Sequence, residues 1–502
     1  MKSSGHSVFF SSKAKWLLLL WLVTLPLVNP WVRGDGVGYY AYIQALLIHG
    51  NLNLRDEWLH GNPSFLLNRT GADGRLDPAQ FTANGHIADH FAVGPAMLWA
   101  PFLIPVHVAV LGLDHLGWHI PADGHSRPYR VAMALGTAFY GFLALWIAFL
   151  LAREYFGEQV ALVATLGIWL GSSLIVYMYF NPSWAHAQAA FVVALFLWYW
   201  HRTRNERKPL QWIWLGLAGG LMLDVYYPNF VLLLLPLADA LGSWRRLFFD
   251  AQARRTKWGR MAISHMLFAA AVVAAFLPTL VTRAVLYGSP FRTGYNEWWN
   301  WTAPFRWKVL FSSDHGLLSW TPILALAVVG LFVFWRRERR LGGLFLLVLL
   351  AFYYLISCYQ YWNGLSSFGN RFFISLTVLF VLGLAALLDG WMRWMRGRAA
   401  AWRSACAVVA LLALWNLGFV FQWGTHLVPA RGPISWRSMV YNQVDVVPRE
   451  ATGQLRRYFL NRSAMMRRIE QQDVKTMEVR PGGPGGVSGE TGRKWPASGR
   501  FE

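Results

Sequence analysis

Cysteine and charge are both scarce in this sequence. Two of its 502 residues are cysteines, Cys358 and Cys406, and charged residues make up only 14% of the chain. The two cysteines fall in different apolar regions, so no disulfide is predicted. By contrast, 55% of the residues are hydrophobic, and several apolar runs reach the roughly 20 residues that a helix needs to cross a bilayer. The composition therefore indicates a polytopic α-helical membrane protein.

Acidic residues are scarcer than basic ones. The chain has 25 Asp and Glu against 46 Lys and Arg, which gives a net charge of +21. In a soluble protein this excess would suggest nucleic-acid binding. Here the basic residues cluster in short loops between apolar runs, as the positive-inside rule of membrane topology explains. These loops are Arg202 to Lys208, Arg245 to Arg260, Arg336 to Arg340 and Arg393 to Arg398. No nucleic-acid partner is therefore expected.

The first apolar run lacks a cleavage site. It extends from Trp16 to Val32 and follows Lys13 and Lys15, as in a signal peptide, but it contains no small-x-small motif. We therefore predict an uncleaved first span and a cytoplasmic N-terminus.

About eleven spans are predicted from the apolar runs, each counted once. They cover about 15–32, 128–152, 159–178, 184–201, 210–224, 228–242, 261–286, 318–335, 341–357, 371–389 and 402–421. The segment 91–113 decides the orientation, because all four basic loops are cytoplasmic only if it does not cross. It is short for a span and contains three prolines. We therefore predict that it is a periplasmic helix at the membrane interface.

The stretch after the first span holds an isolated carboxylate. Asp35 lies between two glycines at the membrane–water interface, where an acid stays ionised at little cost. Residues 37–48 are predicted to form an amphipathic helix on the membrane surface, because Tyr39, Tyr40 and Tyr42 favour the headgroup layer. Capping this helix is the alternative role for Asp35.

An Asp just past the first span, followed by a Tyr-rich amphipathic helix, resembles the GT-C superfamily of integral-membrane glycosyltransferases. The resemblance is to its bacterial branch, related to protein O-mannosyltransferases and aminoarabinose transferases. It implies an all-α fold whose long first periplasmic loop, 33–127, carries juxtamembrane helices. It also implies that Asp35 is the catalytic base, with Tyr39 and Tyr40 beside it as candidate substrate-binding residues.

A second motif, Asn84 to Pro95, precedes the interfacial helix. His86, Asp89 and His90 are suitable ligands for a divalent metal or contacts for a phosphate, although their spacing matches no strong metal signature. Helix capping and local hydrogen bonds are the alternative. The segment resembles the one that enters the juxtamembrane helix of the family, so Asp89 and His90 are candidate substrate-binding residues. No cofactor is assigned, and a divalent metal remains open.

Two outer loops add further histidines. In Asn181-Pro-Ser-Trp-Ala-His-Ala, His186 begins a helix, where an anion would bind favourably, or it bonds a neighbouring carbonyl. The second large periplasmic loop, 287–317, has tryptophans that suit either sugar stacking or an ordinary interfacial belt. It ends in a Ser-Asp-His-Gly-Leu-Leu-Ser-Trp-Thr-Pro motif that resembles one of bacterial GT-C relatives. Asp314 stands there in place of a basic residue, and His315 is a candidate substrate-binding residue.

A basic residue opens a late span. Arg371 follows Ser-Phe-Gly-Asn, which resembles the Ser-x-Gly-x-Arg motif of the family, and its planar guanidinium suits a pair of phosphate oxygens. Snorkelling to lipid headgroups is the alternative. Asp224 lies in or near the membrane, where a carboxylate either serves function or pairs with an arginine.

Together these features predict an inverting glycosyltransferase that uses a polyprenyl-phosphate-linked sugar and a glycan, lipid or protein acceptor. We expect it in the bacterial inner membrane, with a periplasmic active site, bound membrane lipid and no soluble catalytic domain. The GT-C-like transmembrane domain covers 1–421. The remainder, 422–502, is predicted to be a periplasmic tail with a basic helix at about 454–470 and disorder after about 480.

Two other classes of function fit a polytopic chain. A transporter or lipid flippase usually shows paired repeats or ionisable residues at mid-membrane, whereas here most of the charge outside the basic loops lies at the outer rim. An O-antigen ligase or polymerase usually has one large late periplasmic loop, whereas here the first loop is the long one.

Overall fold

The computed structural model describes residues 13–204, 207–295 and 297–478, without the side chains of 251–256. The predicted disorder after about 480 lies outside these residues. Within them the chain forms helices and no β-strand, and the loops contain three isolated β-bridges. The predicted all-α fold class is thus confirmed.

The first half of the chain contains ten helices among the described residues. They are α1 (Ala14–Thr24), α2 (Asp35–Gln44), α3 (Arg55–Leu59), α4 (Pro63–Leu66), α5 (Gly94–His115), α6 (Arg127–Tyr155), α7 (Glu158–Gly171), α8 (His186–Thr203), α9 (Pro209–Val225) and α10 (Leu234–Phe249).

The second half adds ten more among the described residues. They are α11 (Ala251–Tyr287), α12 (Arg306–Phe311), α13 (Leu317–Trp320), α14 (Ile323–Arg337), α15 (Arg339–Cys358), α16 (Thr377–Trp394), α17 (Ala399–Gly424), α18 (Trp436–Tyr441), α19 (Val447–Leu460) and α20 (Arg462–Glu478).

All eleven predicted spans fall on helices. In the described part of the chain, six helical segments are long and apolar enough to cross a membrane: α5, α6, Lys257–Tyr287 of α11, α15, Arg371–Trp394 and α17. The predicted end of the first span at residue 32 is wrong, because a 3₁₀ turn at Leu25–Leu27 ends the helix and the chain continues without helical structure. Pro26 and Pro30 lie at this point, and proline cannot donate the backbone hydrogen bond that continues a helix.

The segment predicted to lie at the interface is a full-length helix. At 22 residues α5 is long enough to span, so the expectation that it is short is wrong. It nevertheless stays at one end of the bundle. Gly94, its first residue, packs against the backbone of Asp224 at the end of α9, and His107 lies 2.6 Å from the Tyr129 hydroxyl at the start of α6. That α5 does not cross the membrane remains a prediction.

Helix α2 is not amphipathic, contrary to the prediction. Residues 36–45 are all buried, since the helix packs against α3, α5 and the loops before and after α5. The Tyr40 hydroxyl donates to the carbonyl of Gly124 at 3.0 Å, and Tyr42 donates to the carbonyl of Phe91 at 3.2 Å. These tyrosines therefore bond inside the protein and not in the headgroup layer.

The packing of α2 depends on a glycine. A Cβ on Gly36 would lie 2.0 Å from Ser183 Oγ and 2.5 Å from its Cβ. We expect Gly36→Ala to lower the free energy of unfolding by about 1–3 kcal/mol, the usual cost of overpacking. Thermal unfolding in detergent measures this. Gly112→Ala is the matched control, because nothing lies within 4 Å of its Cβ position. Equal melting temperatures for the two variants would contradict the prediction.

The C-terminal tail folds back on the start of the chain. The predicted basic helix at 454–470 is instead two helices, α19 and α20, which are separated at Asn461. The Tyr458 hydroxyl donates to the carbonyl of Leu27 at 2.6 Å, and Arg462 donates to the carbonyl of Val28 at 2.6 Å. The tail thus covers the chain segment that leads to Asp35.

Candidate active site

Asp35 and Arg371 form an ion pair. Asp35 Oδ2 lies 2.8 Å from Arg371 Nη1, and the Asp35 side chain is 33% exposed against 10% for Arg371. Asp35 begins α2, where the helix dipole favours a negative charge. The residue at the N-cap is Gly34, with φ +53°, and no side chain caps the helix, so the alternative of Asp35 as a cap is not borne out.

The guanidinium of Arg371 is held by an aromatic ring. Its central carbon, Cζ, lies 4.2 Å from the centroid of the Trp184 ring. On another side it packs closely on Gly364, where an added Cβ would lie 3.2 Å from Nε. Nε has no hydrogen-bond acceptor among the described residues. A planar cation with an unused donor can bind an anion such as a phosphate.

His186 lies in the aromatic wall beneath this ion pair. Its ring is buried and contacts the rings of Tyr177 and Tyr226 edge-on, with centroids 4.9 and 5.8 Å apart. Trp184, which supports Arg371, is 6.2 Å away. The Asn181-to-Ala187 motif therefore places His186 and Trp184 close to Arg371, and substrate binding by His186 stays a prediction. The tryptophan was not singled out by sequence reasoning, although it stands in the same motif.

Tyr39 and His90 border the site on the side of the first loop. Tyr39 packs on Phe91 at 4.8 Å, and burial together with the nearby Asp35 carboxylate raises the pKa of its hydroxyl, which stays protonated. His90 lies between Phe91 and Tyr295, with ring centroids 4.3 and 4.8 Å away. Burial lowers its pKa to about 4, so it is neutral near pH 7. The Tyr39 hydroxyl and the His90 ring thus add polar but uncharged groups.

Asp89 and Tyr40 are turned to structural partners. Asp89 accepts hydrogen bonds from the Phe91 amide at 2.9 Å and Trp58 Nε1 at 3.2 Å, and burial raises its pKa to about 6. Tyr40 packs edge-on against Trp99, and its hydroxyl is taken by a loop carbonyl. Neither side chain is brought to the ion pair by a direct contact.

His315 is buried behind Arg371. Its backbone has φ +59°, its ring packs on Trp320 at 4.7 Å, and Nε2 lies 3.6 Å from Asp314 Oδ1. Burial lowers its pKa to about 4. Asp314, the unexpected residue of this motif, accepts a hydrogen bond from Asn363 at 2.8 Å. Because Asn363 lies in the loop before Arg371, Asp314 helps to shape the loop that carries the guanidinium.

The match with known proteins falls in the middle of the chain. Residues 129–282 match the family model described as dolichyl-phosphate-mannose-protein mannosyltransferase. The resemblance to the GT-C superfamily is confirmed. The match extends from the start of α6 to near the end of α11, so it includes Trp184 and His186 but neither Asp35 nor Arg371. It indicates a membrane glycosyltransferase. No curated protein matches the chain.

In this glycosyltransferase Asp224 pairs with no arginine side chain among the described residues. Its Oδ1 accepts a hydrogen bond from the Thr279 hydroxyl at 2.5 Å. Arg283, one turn further along α11, instead donates to the carbonyls of Asp89, His90 and Phe91 at 2.7–3.0 Å. Sequence reasoning missed Arg283, although an arginine near the end of an apolar span was a visible signal.

Arg283 fixes the loop that carries His90. We expect Arg283→Met to lower the free energy of unfolding by about 1–3 kcal/mol, because buried carbonyls lose a charged donor. Differential scanning fluorimetry in detergent tests this. Arg292→Met is the control, since Arg292 is exposed and surface changes usually stay within about 0.5 kcal/mol. A melting temperature of Arg283→Met equal to that of the control would refute the assignment.

The candidate metal ligands of the first loop do not converge. Among the described residues, no group of three or more His, Cys, Asp or Glu side chains is placed to hold a metal ion. Both carboxylate oxygens of Asp89 already accept hydrogen bonds from protein donors. The ion pair of Asp35 and Arg371 therefore remains the chemically distinctive feature of the candidate site.

Proposed function

We propose that the chain is an inverting glycosyltransferase of the GT-C type. It moves a sugar from a polyprenyl-phosphate donor to an acceptor hydroxyl on the periplasmic face of a bacterial inner membrane. The acceptor is a glycan, a lipid or a protein. The observation that carries the proposal is the 2.8 Å contact between a partly exposed carboxylate and a buried guanidinium that lies over the ring of Trp184.

Arg371 binds the phosphate of the donor. The bond that breaks joins the anomeric carbon to a phosphate oxygen, so negative charge grows on that oxygen in the transition state. A guanidinium already fixed over Trp184 stabilises this charge without reorganising. Its Nε is buried and has no acceptor among the described residues, so it is a donor that Asp35 does not use.

Asp35 acts as the general base. When the donor phosphate shares the guanidinium, the carboxylate loses part of its ion pairing and is free to accept a proton. It takes the proton of the acceptor hydroxyl, the acceptor oxygen forms a bond to the anomeric carbon, and the phosphate leaves on its lipid. A single displacement of this kind inverts the anomeric carbon. The one-third exposure of Asp35 gives the acceptor access.

An apolar cavity suits the lipid chain of the donor. It has a volume of about 670 Å³ and lies between α9, α10, α11 and α15. Its lining is almost entirely apolar and includes Phe230, Leu234, Leu237 and Leu355. One of its lining residues, Phe230, is three residues after Tyr227, whose hydroxyl accepts a hydrogen bond from Arg283. We propose that the polyprenyl chain of the donor occupies this cavity.

The site is assigned to the periplasm because it lies at the end of the helix bundle opposite the basic residues. α6 and α8 end together at the contact of Tyr155 with His201, beside the basic residues Arg202 and Arg207. Their other ends, with His186, adjoin Asp35 and Arg371. The positive-inside rule assigns the basic end to the cytoplasm and the site to the opposite compartment.

Mass spectrometry of cell-envelope glycans tests the function. Strains that carry the wild-type chain, no chain or the Asp35→Asn variant are compared. We expect one glycan to lose a single sugar in both of the latter strains. An envelope that is identical in all three, with the protein expressed, would contradict the proposed transferase.

A further inference from the structure

The C-terminal helix α20 carries two buried carboxylates. Glu470 and Asp473 lie about one turn apart and are both buried, although charged groups are costly to bury unless they are paired. Nothing in the proposed reaction uses either residue. Asp473 is instead bonded to the chain segment just before Asp35, and Glu470 is bonded to Asn62, which is itself bonded to that segment.

Asp473 is bonded to the residue two positions before Asp35. Its carboxylate pairs with Arg33 and accepts a hydrogen bond from His426 Nε2 at 2.9 Å. Burial raises its pKa, but the hydrogen bond from His426 and the charge of Arg33 outweigh this and hold the pKa below the usual range. The carbonyl of Arg33 accepts a hydrogen bond from Trp184 Nε1 at 2.9 Å. Arg33 is therefore fixed from α20 on one side and from the ring beneath Arg371 on the other.

Glu470 reaches the residue directly before Asp35 through one side chain. Its Oε1 accepts hydrogen bonds from the Ser64 amide at 2.6 Å and from Asn62 Nδ2 at 2.7 Å. Asn62 Oδ1 in turn accepts the amide of Gly34 at 3.1 Å. Gly34 has φ +53° and ψ −133°, a conformation that only glycine adopts readily. A flexible residue at this point needs outside contacts to hold one geometry.

We propose that α20 is a clamp for the catalytic loop, the residues from Arg33 to Asp35. Glu470 and Asp473 are positioning residues: they hold the backbone of Arg33 and Gly34 and so keep Asp35 against Arg371. The inference rests on the proposed function of Asp35. A general base that drifts by about 1 Å can lose about 10²-fold in rate, so contacts that only fix the loop have a catalytic effect.

Steady-state kinetics of Asp473→Asn separates positioning from substrate binding. We expect kcat for sugar transfer to fall about 10- to 100-fold, while KM for the donor changes less than about 2-fold, because the phosphate site at Arg371 is intact. Asp473→Glu, which keeps the charge, should recover part of the loss. Asp445→Asn is the matched control in the tail, since the partners of Asp445 there, Arg449 and Tyr441, are both exposed side chains of the tail itself. A kcat for Asp473→Asn equal to that of the control would overturn the proposal.

Hydrogen exchange tests the clamp without any assay of activity. Mass spectrometry of the peptide that covers residues 31–38 should show faster amide exchange in Asp473→Asn and Glu470→Gln than in wild type or Asp445→Asn. Unchanged exchange would overturn the clamp even if the chain transfers sugar. If exchange is faster in these two variants but the wild-type chain transfers no sugar, the clamp is supported and the proposed function of Asp35 is rejected.

A cross-link distinguishes a clamp from a lid. Cysteines are placed at positions 33 and 473 in a Cys358→Ala, Cys406→Ala background and joined by a short bis-maleimide. The uncross-linked variant has lost its ion pair and should be slow, whereas the cross-linked one should recover activity. If joining the helix to the loop abolishes the remaining activity, α20 must leave during turnover, and the clamp is wrong.

Discussion

Replacement of Asp35 by Asn is expected to lower the rate of sugar transfer by about 10²- to 10⁴-fold, the usual contribution of a general base. Asparagine keeps the size of the side chain and an oxygen that faces Arg371, so the fold should be retained. It cannot accept the proton of the acceptor hydroxyl. The rate is measured with purified protein in lipid nanodiscs, with a labelled polyprenyl-phosphate sugar and an envelope fraction as acceptor.

Two further variants make this result specific. Asp35→Glu keeps the charge but moves the carboxylate by about one bond length, so an intermediate rate is expected. Asp56→Asn removes an exposed carboxylate from α3 in the same loop and should leave the rate unchanged. Wild-type activity in Asp35→Asn, with normal expression and melting temperature, would show that Asp35 is not the base.

Replacement of Arg371 by Ala should lower kcat by about 10²- to 10³-fold and raise KM for the donor, because the same guanidinium binds the phosphate and stabilises the leaving charge. Arg371→Lys keeps a positive charge but loses the planar guanidinium and its stacking on Trp184. Its kcat and donor KM should therefore lie between those of the wild type and those of Arg371→Ala.

The control for Arg371 is an arginine of the outer loop. Arg292 is exposed, and Arg292→Ala should leave both kinetic constants unchanged. If Arg371→Ala kept the wild-type kcat and donor KM, the phosphate site would have to lie elsewhere. If only KM changed, Arg371 would bind the donor equally well in the ground and transition states and would not stabilise the leaving group.

The spans were predictable because hydrophobicity is a local property. Runs of about 20 apolar residues indicate helices, and every predicted span overlaps a helix. The end of the first span was wrong because the run of apolar residues continues past Pro26, whereas the helix does not. An apolar composition indicates that a segment is buried in lipid or protein, but it does not show where the helix ends. Here the helix ends at the prolines.

The burial of α2 could not be read from the sequence. Tyrosines at an interfacial position fit both a headgroup layer and a protein interior with polar partners. Only the fold brings the carbonyls of Gly124 and Phe91 to the hydroxyls of Tyr40 and Tyr42. Neighbouring residues on a helix also point about 100° apart, so Tyr39 borders Asp35 while Tyr40 packs on Trp99.

The contacts that fix the site are non-local. Asp35 and Arg371 were chosen because each carries a useful charge at the end of a span, and the topology that puts both ends on one face made them neighbours. No local pattern indicates that Asn62 bonds Glu470, which lies 408 residues further along the chain. Tertiary packing alone selects such partners, and for the same reason the role of α20 was not foreseen.

The most direct test of the central claim is to identify the lipid product. Purified protein in nanodiscs is incubated with a polyprenyl-phosphate sugar and an envelope acceptor fraction, and the lipids are analysed by mass spectrometry. We predict release of polyprenyl monophosphate by the wild-type chain, and release by Asp35→Asn that is slower by about 10²-fold or more. Release of polyprenyl diphosphate from a diphosphate-linked donor, as in a ligase, or turnover that is equal in both proteins, would contradict the account.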